Sequence, residues 1–336
     1  MGARHEQALR HRAHRLRHPA PPREIEWRLV SPVDRSASRG SNDGVTDRPA
    51  RGADVTRVAA SPTVALRGLD LAPGTIALWW LGQAGFAVRA GGLVLLVDPF
   101  LAPMAERASA PAFDPEDAIG VDVVMCSHEH YDHLDLASLP TIARASPGAR
   151  FVVPRPLVDA VAAAGVPRAR LVGAQPDERI RLDGVTLHPV PARHGVGMAD
   201  AYTFGRELSN GLYRYLGYVI DDGVARVYHA GDTIVYEGQA ERLRALGADV
   251  ALLPINGRDH FREAAGVVGN MDHREAARLA EEAGVDVLVP MHYDTFAQNL
   301  GFPAHLVDVV RHQHPSLAVL IPSRDRPVLY AKAANG

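Results

Sequence analysis

Three His and one Asp fall within six residues in the segment Ser127-His128-Glu129-His130-Tyr131-Asp132-His133-Leu134-Asp135. The segment follows the apolar run 121–126, so it occupies a strand end, where loops build sites. His128 and His130 are two apart, and in extended backbone both imidazoles point to one side and can grip one ion. Asp132 and His133 are adjacent, so they diverge and can serve a second ion. Imidazole with carboxylate suits Zn2+, and also Mn2+ or Fe2+. A polar loop with incidental His is the bland reading, and this density of ligand-type residues argues against it. Three further candidates each follow a predicted strand: His194 after 185–190, Asp232 after 225–229 and His292 after 287–291. Any one alone is more often a packed or surface side chain. Only together do they suggest a two-ion site.

Two divalent ions about 3.5–4 Å apart lower the pKa of a shared water to near neutrality. The hydroxide so formed attacks a carbonyl or phosphoryl centre, and no Ser or Cys nucleophile is required. Asp132 or Asp232 is the candidate to take the proton. Cys126, the one Cys of the chain, is expected to pack as a small apolar residue. His229 stands three residues before Asp232 and is a candidate to touch substrate or support the ligands. Arg258, in Asn256-Gly257-Arg258, offers a planar fork suited to phosphate or carboxylate. Asn256 and Gly257 predict a tight turn with backbone N–H groups nearby. Asp135 is expected to fix a ligand His in one tautomer, with Tyr293 and Asp294 standing behind His292. His260, Tyr131 and Tyr202 are lesser candidates. The segment 199–210 reads as a lid.

These residues need a scaffold. Short apolar runs at 75–81, 86–89 and 93–97, separated by glycines, read as a strand meander. Further strands are expected at 121–126, 171–172, 185–190, 215–220, 225–229, 250–254, 287–291, 317–321 and 328–330. Helices are expected at 157–164, 239–246 and 304–312. Asp272-His273-Arg274-Glu275 is a capping-box helix start, and its apolar face would be Ala276, Leu279, Ala280 and Ala283. Strands clustered first, then alternating with helices, imply an α/β protein of two sheets with helices outside. No repeat is evident.

The chain has 336 residues, 47% hydrophobic and 22% charged, as a globular protein should. That length allows one large or two modest domains. One Cys excludes an internal disulfide framework and a Cys-rich zinc module. The net charge of −3 divides unevenly: 13 Arg against 8 acids give +5 over residues 1–70, leaving −8 over 71–336. An acidic main part argues against a nucleic-acid groove. Residues 1–70 are rich in Arg, His, Pro, Ser and Gly, and are expected to be a disordered or weakly ordered basic extension. A start codon set too far upstream, or a basic arm for anionic surfaces, also fits that composition. The hydrolase domain is expected over 72–333. No apolar window reaches membrane-helix length and no secretory signal is seen, so a cytoplasmic location without a membrane partner is expected.

The order His-x-His-x-Asp-His, then His, Asp and His, resembles the metallo-β-lactamase superfamily over roughly residues 72–333. The resemblance implies a four-layer αββα sandwich with metals in a cleft at one edge of the two sheets. It implies that His128, His130 and His194 hold one ion, that Asp132, His133 and His292 hold a second, and that Asp232 bridges. It further implies that Asp98, at the end of an early strand, orients a ligand loop. Leu78-Trp79-Trp80-Leu81-Gly82, Tyr228-His229-Ala230-Gly231-Asp232 and Pro290-Met291-His292-Tyr293-Asp294 are similar to the L-ascorbate-6-phosphate lactonase-like branch. His194 departs from the lactonase proper, whose third metal motif lacks a clear His.

The expected function is therefore metal-dependent hydrolysis of a small anionic ester, most readily a lactone, with two divalent ions, zinc before manganese. A homo-oligomer is suggested by the same resemblance. The competing reading is a metallo-phosphodiesterase or nuclease of the superfamily. The 60 residues from Asp232 to His292 leave no room for the inserted domain such enzymes often carry, and no nucleic-acid partner is expected. A true β-lactamase usually carries an export signal, and a glyoxalase-type thioesterase needs a helical domain after the last His. A non-enzymatic metal-binding protein would leave the whole ligand set idle.

Overall fold

The computed structural model describes residues 60–195, 203–266 and 268–332, together with the backbone of 26–29. Strand β1 (Glu26–Leu29) and helix α1 (Pro62–Arg67) precede the meander β2 (Thr75–Gly82), β3 (Gly85–Ala90) and β4 (Leu93–Val97). Strand β5 (Val123–Met125), helix α2 (Leu139–Ala145), β6 (Arg150–Pro154), α3 (Val158–Ala163) and β7 (Leu171–Ala174) complete the first half. The second half opens with β8 (Ile180–Leu182), β9 (Val185–Pro191), β10 (Leu216–Asp221) and β11 (Arg226–His229). It continues through α4 (Gln239–Leu246), β12 (Val250–Pro254), α5 (His260–Ala265), α6 (His273–Ala283) and β13 (Val287–Met291). Helix α7 (Pro303–Gln313), β14 (Ala318–Val319) and β15 (Val328–Ala331) end it.

Among the described residues, one sheet runs β1-β15-β2-β3-β4-β5-β6-β7 and the other β14-β13-β12-β11-β10-β9-β8. Strand alternation sorts the side chains of the first sheet between two cores. Ile76, Leu78 and Trp80 of β2, with Leu95 and Val97 of β4, pack between the sheets. Their neighbours Ala77, Leu81, Val94 and Leu96 pack on the other face, against Leu66 of α1, Leu139 and Ile142 of α2 and Val161 of α3. On the second sheet, α6 lies against β12 and β13, between α4 and α7. Asp272 and Glu275 close the expected capping box, and Ala276, Leu279, Ala280 and Ala283 are buried. Losing such a cap typically costs about 1 kcal/mol. Each sheet thus carries helices outside, giving the αββα layering.

β4 to β7 and β11 to β14 are parallel runs. Open parallel sheets bind ligands beyond the carboxyl ends of their strands. Asp98 follows β4, the His-rich segment follows β5, Asp232 follows β11 and His292 follows β13. Gly231 (φ 60°) lets the β11 loop close on its neighbours: a Cβ there would stand 2.7 Å from both the Leu216 carbonyl oxygen and the Ser127 Cβ.

Some expectations need correction. The domain begins before residue 72, because α1 is formed, buries Leu66 and pairs Arg67 with Asp122. Strand β1 pairs antiparallel with β15, so the 1–70 extension is not uniformly unstructured, while most of it lies outside the described residues. α2, α5, β6 and β8 were not expected. Tyr202 and residues 199–201 of the expected lid also lie outside the described residues. The part of that segment that is described pairs Thr203 with His194. Cys126 packs in the outer core, where burial pushes its thiol pKa well up. No helix among the described residues is long and apolar enough to cross a membrane.

Candidate metal centre

The His-rich segment is not extended. It turns, with the His133 and Leu134 N–H groups both donating to the His130 carbonyl, at 3.0 and 2.7 Å. His128 Nε2 lies 3.0 Å from His130 Nδ1 across a bent, non-strand backbone. His194 Nε2 arrives from β9, 3.1 Å from the same His130 nitrogen and 3.6 Å from Asp232 Oδ2. Beside this first group lies a second. His292 Nε2 is 3.4 Å from Asp132 Oδ2 and 3.3 Å from Asp232 Oδ2. His133 Nε2 is 3.3 Å from Asp232 Oδ1. One ligand atom from each of His128, His130, His194 and Asp232 falls within a 4.8 Å span, and so does one from each of Asp132, His133 and His292. Asp232 reaches both groups.

The surroundings hold these rings in place. Asp98 (φ 45°) accepts from the Ser127 N–H and hydroxyl, each at 2.7 Å, and from His133 Nδ1 at 2.7 Å. That bond leaves the His133 Nε2 to face the cluster. His194 Nδ1 likewise donates to the Gly269 carbonyl at 2.7 Å. Burial pulls the His194 pKa down to about 4 against the pull of Asp232, with His130 adding to the decrease. Burial, then His133, His130 and His194, lower His128 as well. In the second group burial is overridden. Asp232 and Asp132 raise His292 to about 9, and Asp232, Asp132 and Asp98 raise His133 well above its ordinary value. Burial opposes ionisation of Asp132 and Asp232, but His133 and His292 hold both pKa values below the usual carboxylate range.

Two buried atoms test whether this cluster fits a cation. His133 Nε2 and Asp232 Oδ1 face one another, and neither completes a hydrogen bond. A lone-pair nitrogen opposed to a carboxylate oxygen calls for a positive charge between them, either a proton or a metal ion. The donor set of imidazoles and carboxylates suits a borderline divalent ion. The residues therefore fit the group.

One residue of the centre was not expected. Gln83 is 1% exposed and sits at φ 52° in the β2–β3 turn. Its Nε2 donates to Asp132 Oδ2 at 2.8 Å and lies 3.1 Å from His292 Nε2. Its carbonyl accepts from the His292 N–H at 2.8 Å, and its N–H donates to Asp294 Oδ1 at 2.8 Å. Asp294 thus contacts Gln83 and the Thr295 hydroxyl. The positive φ of Gln83 is shared by Asp98 and His292, and nothing in the residue type of Gln83 marked it in the sequence.

Three expected roles are not supported by the geometry. His229 is fully buried, donates to the Ala84 carbonyl at 2.7 Å and accepts from the Gly231 N–H at 3.2 Å. It is a satisfied core histidine between the sheets, not a catalytic one. Asp135 accepts from the Leu101, Ala102 and Ser138 N–H groups and touches no His; Asp98 does the tautomer work instead. Arg258 turns away to Glu275 at 2.7 Å and Glu263 at 3.3 Å. The guanidinium lining the cleft belongs to Arg262, one helical turn later on α5.

The cleft over the cluster has a volume of about 550 Å3, within the range of small-molecule sites. His130, Asp132, His194, Asp232 and His292 line it, facing Asn256, Asn270, Asn299 and Arg262. The amides form a chain: Asn270 Nδ2 donates to Asn256 Oδ1 at 3.0 Å, and Asn256 Nδ2 to Asn299 Oδ1 at 2.8 Å. Arg262 reaches the same Asn299 oxygen at 3.3 Å.

Residues 94–293 match the β-lactamase superfamily domain family. A UPF0173 metal-dependent hydrolase of Aeropyrum pernix is 36% identical, covering 67% of this chain and 86% of its own length. One from Myxococcus xanthus is 31% identical over 79% of this chain and 86% of its own. Among solved structures, Igni18, a metallo hydrolase from Ignicoccus hospitalis, superposes with a TM-score of 0.58 at 24% identity, covering 77% of this chain and 99% of that one. An isothiocyanate hydrolase from Delia radicum gut bacteria gives 0.58 at 20% identity, covering 75% and 97%. These two likenesses concern the fold. The sequence matches, on the converged His–Asp cluster just described, place this chain in the UPF0173 metal-dependent hydrolase family of the β-lactamase superfamily.

Proposed function

We propose that this hydrolase opens a lactone, or cleaves a closely related small anionic ester, using two divalent ions, zinc before manganese. The observation that carries the reading is the cleft itself: Arg262 and three asparagines face the His–Asp cluster across one small-molecule space. The motif resemblance to the lactonase-like branch supports the ester chemistry. His128, His130 and His194 would hold one ion, Asp132, His133 and His292 the other, with Asp232 shared. Bound there, divalent ions supply Lewis acidity and make water ionisable near neutral pH.

The chain's own residues do the rest. Arg262 anchors the anionic group, and its fork suits a carboxylate or phosphate. Asn256 and Asn270 position the substrate's polar atoms by hydrogen bonds. Asp132 and Asp232, the two carboxylates of the cluster, are the groups able to take the proton from the attacking water. Asp98, Gln83 and the Gly269 carbonyl keep the rings aimed. Cys126 is buried and takes no part.

The test is hydrolysis of a sugar lactone phosphate and an activated phosphodiester, side by side, by metal-loaded protein. Chelated protein and Asp232→Ala serve as blanks. Lactone opening lost in both blanks is expected. Diester cleavage without lactone opening would overturn the lactone reading and leave a phosphodiesterase.

A further inference from the structure

Tyr131 stands between two metal-site positions, His130 and Asp132, yet 54% of it is exposed. Its ring does not hang free. It meets Phe100 edge-on at 5.9 Å and Phe296 at 5.9 Å, and those two rings lie 6.1 Å apart. Phe100 and Phe296 are buried, so they form a floor under Tyr131. The floor is braced from behind. Arg107 lies over the Phe100 ring at 4.1 Å and donates to the Phe100 carbonyl at 3.1 Å. Its backbone bridges to Phe296, and the next N–H, of Ala108, donates to the Thr295 carbonyl at 2.7 Å. A rigid aromatic face left half wet is pre-organised for an apolar partner. Tyr131 and Phe296 line the same cleft as Arg262 and the asparagine chain, so that partner shares the space with the anion site.

We propose that Tyr131 and Phe296, backed by the buried Phe100 ring, form an aromatic subsite that receives an apolar arm of the substrate. This rests on the hydrolase reading above and narrows its substrate class to anionic esters bearing an alkyl or aryl arm, away from bare sugar phosphates. The amide and guanidinium groups hold the polar part, while the aromatic face takes the arm.

The test uses product-like carboxylates on metal-loaded full-length protein, so it does not depend on which ester is cleaved. Binding of butanoate, hexanoate and octanoate is measured by isothermal titration to wild type, Tyr131→Ala and Tyr131→Phe, each checked for metal content. In wild type, affinity is expected to rise by up to about fourfold per added methylene. Tyr131→Ala should flatten that slope, and Tyr131→Phe, which keeps the ring, should preserve it. Phe296→Ala is a second probe of the same slope. Equal affinities for butanoate and octanoate in wild type would overturn the subsite, as would a slope untouched by both Tyr131→Ala and Phe296→Ala. A steep slope in a protein that opens no lactone would remove the lactone assignment and leave the subsite standing. No binding at any length would overturn the subsite and leave the lactone reading to the hydrolysis test.

Discussion

His194 and His292 each follow a buried strand, and each brings Nε2 close to Asp232 Oδ2, at 3.6 and 3.3 Å. Their chemistry nevertheless diverges. His194 shares its corner with two other imidazoles and donates Nδ1–H to a neutral carbonyl. Burial wins there, and its pKa falls to about 4. His292 sits between two carboxylates, and charge wins, raising it to about 9. In one half of the centre His128 and His194 therefore wait as neutral rings, ready to accept a cation. The other half, in the metal-free state, is already occupied by protons. Residue type is the same in both; the neighbours decide.

The largest test of this contrast removes what the two halves share. Asp232→Ala should weaken metal binding in both groups and lower activity by more than the roughly 100-fold that loss of an outer partner can cost. Retained binding in either group, by metal analysis, would show the halves to be independent.

Next come changes that address one half at a time. Gln83→Ala should weaken the second group by about 10- to 100-fold and spare the first. Gly269→Ala should do the reverse, because a methyl group there collides with the His194 ring. Competition titration resolving two dissociation constants reads both, and equal effects on both groups would break the contrast.

Proton linkage follows. Between pH 6.5 and 9, affinity of the second group should rise about tenfold per pH unit for each proton displaced, while the first group stays flat. Stability of metal-free protein should follow the same logic. The lowered His194 pKa makes it lose stability as pH falls from about 6.5 to about 4, because the unfolded chain binds the proton more readily. The raised His292 pKa gives a contribution complete below about 6.5 and lost as pH climbs through about 9. From these two residues, the thermal midpoint should peak near pH 6.5. A midpoint still rising at pH 9 would contradict the His292 assignment.

The smallest effect separates the two arginines. Arg258→Gln loses partly exposed ion pairs to Glu275 and Glu263, worth about 0–1 kcal/mol. Arg262→Gln gives up its ion pair to Asp259, a stability loss of the same order, but should in addition raise KM. The opposite outcome would return Arg258 to the substrate.

What could be read from the chain alone follows the same division. The His-x-His-x-Asp-His segment was legible because four ligand-type residues crowd one strand end, and the strands around it announce themselves as short apolar runs. His229 and His194 both follow or close predicted strands; the motif order singled out His194 as a ligand but left the role of His229 open. Only the sheet packing shows that His229 faces the Ala84 carbonyl. Arg258 lies in the loop before α5 and Arg262 on α5 itself, a helix not foreseen, and that difference decides which one lines the cleft. Gln83 was invisible because an amide is ordinary chemistry and its partner lies 209 residues away. Asp98 and Asp135 both follow strand-end logic, and only the structure shows which one meets a histidine.

That 209-residue separation bears on how the protein is made. The His292 N–H reaches back to the Gln83 carbonyl, the Leu216 N–H reaches back to Ser127, and β15 returns to lie beside β2. During translation, the N-terminal histidines leave the ribosome long before His292 exists, and contacts of such long range form late. A nascent chain therefore carries an incomplete centre, and its second group of ligands is completed only as the fold closes. Metal supplied during synthesis is expected to raise the yield of folded protein more than the same metal added afterwards.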